Sequence, residues 1–555
     1  MAAYREKAHV TDQSGPAGVF RSRANGWLAA AVFASILPVQ ALAQDLPEAP
    51  AALPDDATAS DEDTGSTAAK SVQLPTFGGF ADLAEGYTTN AQGSTLTPSG
   101  KDDTFTRGRL GLFLNYKRPR IDLHGAYTLT GAYYGSQHRA NHLSNRLNLT
   151  SLTTVVPEML FVSANAFATP TELTRVGAIS ANGEPVSNYN SRDTYGYTVR
   201  PELLLRFDDF ATSSLSVSHG GVFFVRPATA NSGPVPPISS PQNSLSTSVT
   251  EMIKSGSDFE RLRWSVTGSY AETTQSVRSQ KQAQGAAELS YAVTRFIRVF
   301  GIGGYSDYKS STKLAKNISG PIAIGGVTYT EGENFSVTVE AGTQNNFPTY
   351  MGSLHWEVTP LTYILANATD SVGTPQGGIL SRLSSMGSTP DGGFTDTGTG
   401  GGVGPVNGYS PIGSGGLALD NSIYRLRSIQ GSIVHTDDRM RYTLMLYGNE
   451  RDRLDVAPSP SALPRTSVYG ARAAVSRQIN ANMSAMVGAG YSFSNEFSGH
   501  DQIMTADAML TYRLSESLDV YLSDHYVHRD ARHLVGVPST PLTEDQVLLG
   551  IRAKF

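Results

Sequence analysis

The chain has 555 residues, 43 Lys and Arg against 49 Asp and Glu, a formal net charge of −6 and no cysteine. Lack of cysteine excludes disulfides, thiolate metal sites and cysteine nucleophiles, and the slightly acidic balance excludes the basic footprint of a nucleic-acid binder. Mean hydropathy is −0.22, and no stretch reaches the roughly 20 apolar residues of a membrane-spanning helix.

The N-terminal region opens with Arg21 and Arg23, then 13 largely apolar residues from Trp27 to Val39, then Ala41-Leu42-Ala43. A short apolar core behind positive charge, ahead of a small-x-small site, reads as a secretory signal peptide over 1–43, cleaved near Ala43. Residues 1–20 make its charged region longer than usual. A secreted chain without spanning helices either stays soluble or enters a bilayer as a closed barrel, because unpaired backbone groups are too costly in lipid.

Residues 44–77 are rich in Pro, Ala and Ser and carry seven acidic residues before Lys70. Such a composition cannot bury a core, so a disordered periplasmic linker is expected. It is too short for a plug domain, which argues against a ligand-gated transporter.

From residue 78 to 555 the pattern is strands of about 10–14 residues. Turn residues punctuate them at Lys117–Arg120, Pro157-Glu158, Asp208-Asp209, near Ser255–Asp258, at Arg295, Glu331–Asn334, Pro360-Leu361, Asp437-Asp438, Asn480–Asn482 and Ser515–Ser517. Between these lie long polar connections at 89–103, 135–141, 169–192, 226–241, 309–317, 373–420, 453–462 and 530–542. Short turns alternating with long loops are the mark of an all-β, transmembrane, antiparallel up-and-down barrel with its long loops outside. The count is about 22 strands, within 18–24, and an even number places both termini in the periplasm.

Face patterns agree. Leu110, Leu112, Leu114 and Tyr116 share a face, as do Met440, Tyr442, Leu444 and Leu446, and Leu262, Trp264, Val266 and Tyr270. Tyr116, Tyr291, Tyr305, Tyr491 and Tyr512 sit near strand ends, where aromatic girdles belong, although tyrosine favours any strand. Arginines spaced by two are candidate pore-lining residues: Arg107 and Arg109, Arg261 and Arg263, Arg425 and Arg427, Arg439 and Arg441, and Arg552 beside Lys554. A charge on the lipid face costs roughly 2–4 kcal/mol at midplane, so these should face the lumen or the rim. Glu251, Glu272, Glu288, Glu340 and Glu357 are expected to join them. The wall then either guides an anionic or polar solute or is simply a solvated surface with balanced charge.

No enzyme motif appears. His525 and His528 point to opposite faces of a strand. His138 and His142 are four apart in a loop with no third ligand, and Gly301-Ile-Gly-Gly304 lacks a following helix pattern. No catalytic, cofactor-binding or metal residue is assigned.

Fifteen of the 48 residues in 373–420 are Gly, around one apolar piece, Ile379-Leu-Ser-Arg-Leu383. A loop this long either folds into the mouth to restrict it or hangs free outside.

The last strand alternates to its end: Val547, Leu549, Ile551, Ala553 and Phe555 on one face, with Leu548 out of pattern on the other. It should close the barrel against the first strand near Phe80, with Phe555 as the signal read by the barrel-assembly machinery in the outer membrane.

Several segments resemble a known family: Tyr87-Thr-Thr-Asn90, Pro98-Ser-Gly100, Gly125–Tyr134, Asn145–Leu149, Met159–Val162, Tyr195–Pro201, Val299–Tyr305, Ser319-Gly-Pro321 and Tyr447–Arg451. They resemble the outer-membrane β-barrel proteins associated with PEP-CTERM and exopolysaccharide loci, and the broader β-barrel porin group beside capsule genes. The likeness is spread over about 78–555; the 373–420 segment is longer than the family pattern. The resemblance implies a channel for exopolysaccharide export, with polysaccharide and a periplasmic export protein as partners and no catalytic residues. The sequence leaves open a general diffusion porin for small polar solutes and a surface-structural or adhesin barrel.

Overall fold

The computed structural model describes residues 76–91, 101–172, 191–225, 242–276, 278–311, 318–382, 386–388, 394–396, 401–403, 422–454, 465–496, 499–533 and 542–555. The signal peptide and linker expected over 1–77 lie outside the described residues except for their last two positions. Most of the long connections do too.

Twenty-two strands form one closed antiparallel sheet. They run from β1 (Thr76–Thr88) to β15 (Thr362–Gly373) and from β19 (Tyr424–Thr436) to β25 (Leu542–Lys554). Each strand pairs with its sequence neighbour, and β25 closes onto β1 with Phe80 opposite Lys554 and Thr88 opposite Gln546. Gly79 and Phe555 complete the seam by exchanging backbone hydrogen bonds of 2.8 and 3.0 Å. Three short strands, β16 (Met386–Ser388), β17 (Phe394–Asp396) and β18 (Gly401–Val403), form a separate patch between β15 and β19.

The ten expected short turns all fall between paired strands on one rim. Pro360-Leu361 alone joins β15 to the strand before it, and Glu158 and Asp208 take positive φ of 59° and 45° in theirs. The opposite rim is less uniform than expected. Strands Phe335–Gln344 (β13) and Phe347–Thr359 (β14) meet there through only Asn345 and Asn346, at φ 55° and 63°. Asparagine tolerates the left-handed region that a two-residue hairpin needs, so a tight turn stands on the long-loop side.

Alternation sets the two faces. In β2 (Asp103–Arg118), Leu110 and Leu112 are exposed outward, while Arg107 and Gly111 are buried on the inner side. Large apolar side chains exposed around the whole outer wall would be costly in water and are stabilised in lipid, so this is an outer-membrane barrel. Tyr291, Tyr305, Tyr491 and Tyr512 are all exposed on that outward face. At the short-turn rim, Phe210, Phe259 and Trp264 pack at 5.6–6.1 Å. Phe296, Tyr329, Phe335 and Trp356 form a second chain of rings at 5.7–6.2 Å.

Cross-strand glycines seat inward aromatic rings. Phe80 lies over Gly111, and Tyr521 of β24 (Leu518–His533) lies over Gly550; a Cβ at either glycine would fall within 2.4 Å of the ring. The bare backbone lets the ring lie flat along the wall and covers backbone that would otherwise face water.

Candidate functional site

Asp82 is the hub of the inner wall at the seam. Its side chain is fully buried. One carboxylate oxygen accepts from Tyr521 Oη at 2.9 Å, and the other from Arg109 at 3.0 Å and Arg552 at 3.3 Å. Arg107 in turn donates to Tyr521 Oη at 2.9 Å. The Phe80 ring lies 5.1 Å from the Arg552 guanidinium carbon and 6.0 Å from that of Arg109. Four strands, β1, β2, β24 and β25, are thereby tied by side chains across the closure. Breaking a buried ion pair by removing one partner costs about 3–5 kcal/mol. Asp82→Ala is therefore expected to keep the fold but lower the temperature at which the heat-modifiable band unfolds on SDS gels; an unchanged transition would show that the cluster does not hold the seam.

Further round the wall, Arg472 of β21 (Arg465–Asn480) reaches Asp507 of β23 (Gly499–Ser515) at 2.5 Å. The intervening strand β22 (Met483–Glu496) offers Gly488 there, and a Cβ at that position would lie 2.7 Å from Asp507 and 3.0 Å from Arg472. Arg529, fully buried, binds Asp501 through both carboxylate oxygens at 2.9 and 2.8 Å. Lys554 meets Asp519 at 2.5 Å. The inner wall from β21 round to β2 thus carries ion pairs more than isolated charges.

The arginines expected to line a pore divide into three groups. Arg107, Arg109 and Arg552 lie on the inner wall in the cluster above, and Arg263 and Arg441 also alternate onto the inner face. Arg261 and Arg439 lie in exposed short turns, outside the strands. Arg425 and Arg427 face outward. They share a face of β19 with Ile429, which is 60% exposed, and pair in register with Val372 and Asp370. They stay there because Asp370 neutralises Arg425, while Glu450 and Asp452 bind Arg427 at the end of the strands nearest the long loops. Spacing by two gives a shared face but not which face; only strand register decides it.

Among the acids, Glu288, Glu340 and Glu357 alternate inward. Glu251 and Glu272 alternate outward instead, where Ser213 donates to the first and Lys281 pairs with the second. His525 stands on the inner face and His528 on the outer, as strand alternation requires. His138 Nδ1 contacts the Tyr134 carbonyl and His142 Nδ1 that of Ala140. Among the described residues, no cluster of three metal-ligating side chains occurs.

The Gly-rich connection after β15 enters the lumen. Helix α1 (Pro375–Arg382) starts two residues beyond Gly373, with the Thr374 hydroxyl accepting from Gly377 N at 3.2 Å. Its Ile379 is 1% exposed and packs with Phe167 and Val222, with Phe224 and Leu380 alongside. Phe167 belongs to β5 (Leu160–Glu172) and Val222 to β7 (Ala211–Val225). Both are in register with Gly196 and alternate inward, so α1 binds the inner wall. Gln376, fully buried, accepts from Gln275 at the end of β9 (Leu262–Gln275) at 3.3 Å. β15 and β7 are eight strands apart in the sheet, so the helix bridges across the mouth. Beyond it, β16 touches β3 (Ile121–Tyr134) and β4 (His142–Val156). Residues 383–385, 389–393, 397–400 and 404–420 of this connection lie outside the described residues.

Beside α1 is a cavity of about 370 Å³. One side is formed by β9, β10 (Arg278–Ala292) and β11 (Ile297–Ser310), the other by β15, β19 and β20 (Met440–Arg453). Gln280, Gln282, Tyr308, Tyr424 and Arg451 line it. Sequence reading assigned a role to none of these five: scattered over four strands, they converge only when the barrel closes. The inward bend was signalled by the apolar Ile379-Leu380 in a Gly-rich run.

No protein family model matches the sequence, and no curated protein does. Among solved structures, the FrpB iron transporter of Neisseria meningitidis is similar at 10% identity, covering 86% of this chain and 82% of that one, with a TM-score of 0.45. The ferric enterobactin receptor of Pseudomonas aeruginosa is similar at 9% identity over 86% and 80%, TM-score 0.43. The ferric-catecholate import receptor Fiu of E. coli K12 is similar at 10% identity over 86% and 81%, TM-score 0.43.

Proposed function

We propose that this outer-membrane barrel is a channel that carries exopolysaccharide outward across the membrane. The observation that carries the reading is the inner wall. Twenty-two strands enclose more space than side chains can fill, and that wall presents ion-paired charge, amides and tyrosines. A charge-compensated, hydroxyl- and amide-rich surface holds a hydroxylated polymer weakly along its length and does not trap it, as conduction requires. On this reading the signal peptide is removed near Ala43, the barrel-assembly machinery reads Phe555, and a periplasmic export protein delivers the polymer.

In a strain lacking the gene, polymer should accumulate in the periplasm. Normal surface polymer in that strain would overturn the assignment.

One observation favours a second reading. With α1 lodged inside the mouth, the open cross-section is reduced, as suits a general diffusion porin. Proteoliposomes should then swell in small neutral sugars at a rate that falls steeply with solute size, and the deletion strain would export polymer normally.

A further inference from the structure

The cavity beside α1 has a chemistry of its own. Tyr308 Oη donates to Gln280 Oε1 at 2.6 Å, which fixes the amide plane. Gln280 is 7% exposed, and its Nε2 meets no acceptor among the described residues. A buried donor without a partner costs about 1–3 kcal/mol, and this one stands in the wall of a cavity. Opposite, the Arg451 guanidinium lies 4.6 Å from the centre of the Tyr424 ring, while its Nε donates to Thr466 at 2.9 Å. Among the described residues, Arg451 is the single charged side chain lining the space, beside amides, hydroxyls and tyrosine rings.

These features select a ligand class. The described lining, with its amides, tyrosine hydroxyls and one guanidinium, offers little to a metal ion or an amine. A doubly charged phosphate calls for more than one cation. What remains is a molecule with oxygen acceptors for a fixed amide and C–H faces for tyrosine rings. The volume stands at the small end of the roughly 300–1,000 Å³ range of small-molecule sites. We infer that this cavity is a binding site for a short saccharide segment, seated between Gln280 and Tyr308 on one side and Tyr424 and Arg451 on the other, with α1 as its wall. The inference rests on the channel reading and gives it a specific resting place for a sugar in the lumen.

The test uses the full-length barrel in a planar bilayer, with a neutral glucan hexamer and a hexaglucuronate as probes. Transient current blocks are expected, and Gln280→Leu should raise the blocking concentration at least about tenfold, the equivalent of 1.4 kcal/mol. Tyr308→Phe keeps the ring, frees the amide and should give a smaller increase. Should Gln280→Leu fail to yield a heat-modifiable barrel, Tyr308→Phe carries the comparison. Adding probe to each side separately distinguishes polymer leaving the cell from sugar arriving outside; blocks from either side support the site.

No block and no calorimetric binding by either probe would overturn the inference, as would equal blocking of the parent and both variants. Failure here is separable from failure of the export reading. A deletion strain with trapped polymer and a barrel that ignores sugars removes only the site. A deletion strain with normal surface polymer and a barrel that binds sugars removes only export.

Discussion

Changing Leu549 and Ile551 together to arginine should abolish insertion, leaving a protein that is degraded in the periplasm and shows no heat-modifiable band. Both side chains point outward from β25 and are 58% and 52% exposed. Their neighbours in register are Leu522 and Val520 on one side and Glu85 and Leu83 on the other. Each arginine on the lipid face costs roughly 2–4 kcal/mol at midplane, and the pair approaches the whole stability of an ordinary domain, about 5–15 kcal/mol. β25 must also pair on both edges for the sheet to close, so a strand that cannot enter lipid leaves two open edges. Double substitution of the inward neighbours Leu548 and Gly550 tests packing, not partition, and is no substitute. Membrane-embedded, heat-modifiable protein from Leu549→Arg/Ile551→Arg would overturn the barrel itself.

Releasing α1 should open the lumen. Ile379→Asp is expected to raise single-channel conductance and current noise. Truncating a buried isoleucine costs about 2–5 kcal/mol, and a carboxylate against Phe167, Val222 and Phe224 would be buried without a partner. At 1.4 kcal/mol per tenfold, even the lower figure shifts the balance from docked towards free helix by more than about tenfold. Ile379→Val should leave conductance near the parent value, since most of the apolar contact remains. If Ile379→Asp conducts like the parent, α1 does not restrict the pore.

Periodicity alone was enough for much of this fold. Alternation at Leu110–Tyr116 and Met440–Leu446, and turn residues such as Pro360-Leu361, predict strands, their number and the closing pair near Phe80. A barrel strand repeats every two residues, and its lipid face tolerates few charges, so composition reports its faces directly. Leu548, out of pattern in the sequence, is fully buried on the inner wall beside Tyr521 and Ala84. There it covers ring and methyl, and does not meet water.

Arginine pairs were less legible. Arg107-x-Arg109 and Arg425-x-Arg427 look alike, yet one pair faces inward to Asp82 and Tyr521, and the other outward to Asp370, Glu450 and Asp452. A rim arginine can face out wherever neighbouring strands supply carboxylates, and those neighbours are known only from register. Similarly, Asn345-Asn346 makes a tight turn on the rim expected to carry long loops, because two left-handed asparagines suffice.

The sequence by itself determined the class of molecule: a cysteine-free chain of alternating strands whose apolar face needs lipid and whose count permits closure. Those are local properties, each carried by a few adjacent residues. Tertiary structure decided which charges meet, that α1 turns inward to Phe167 and Val222, and that Gln280, Tyr308, Tyr424 and Arg451 surround one cavity. Those contacts join residues up to 470 positions apart, counting from Asp82 to Arg552. Only the closed register of twenty-two strands brings such residues within reach of one another.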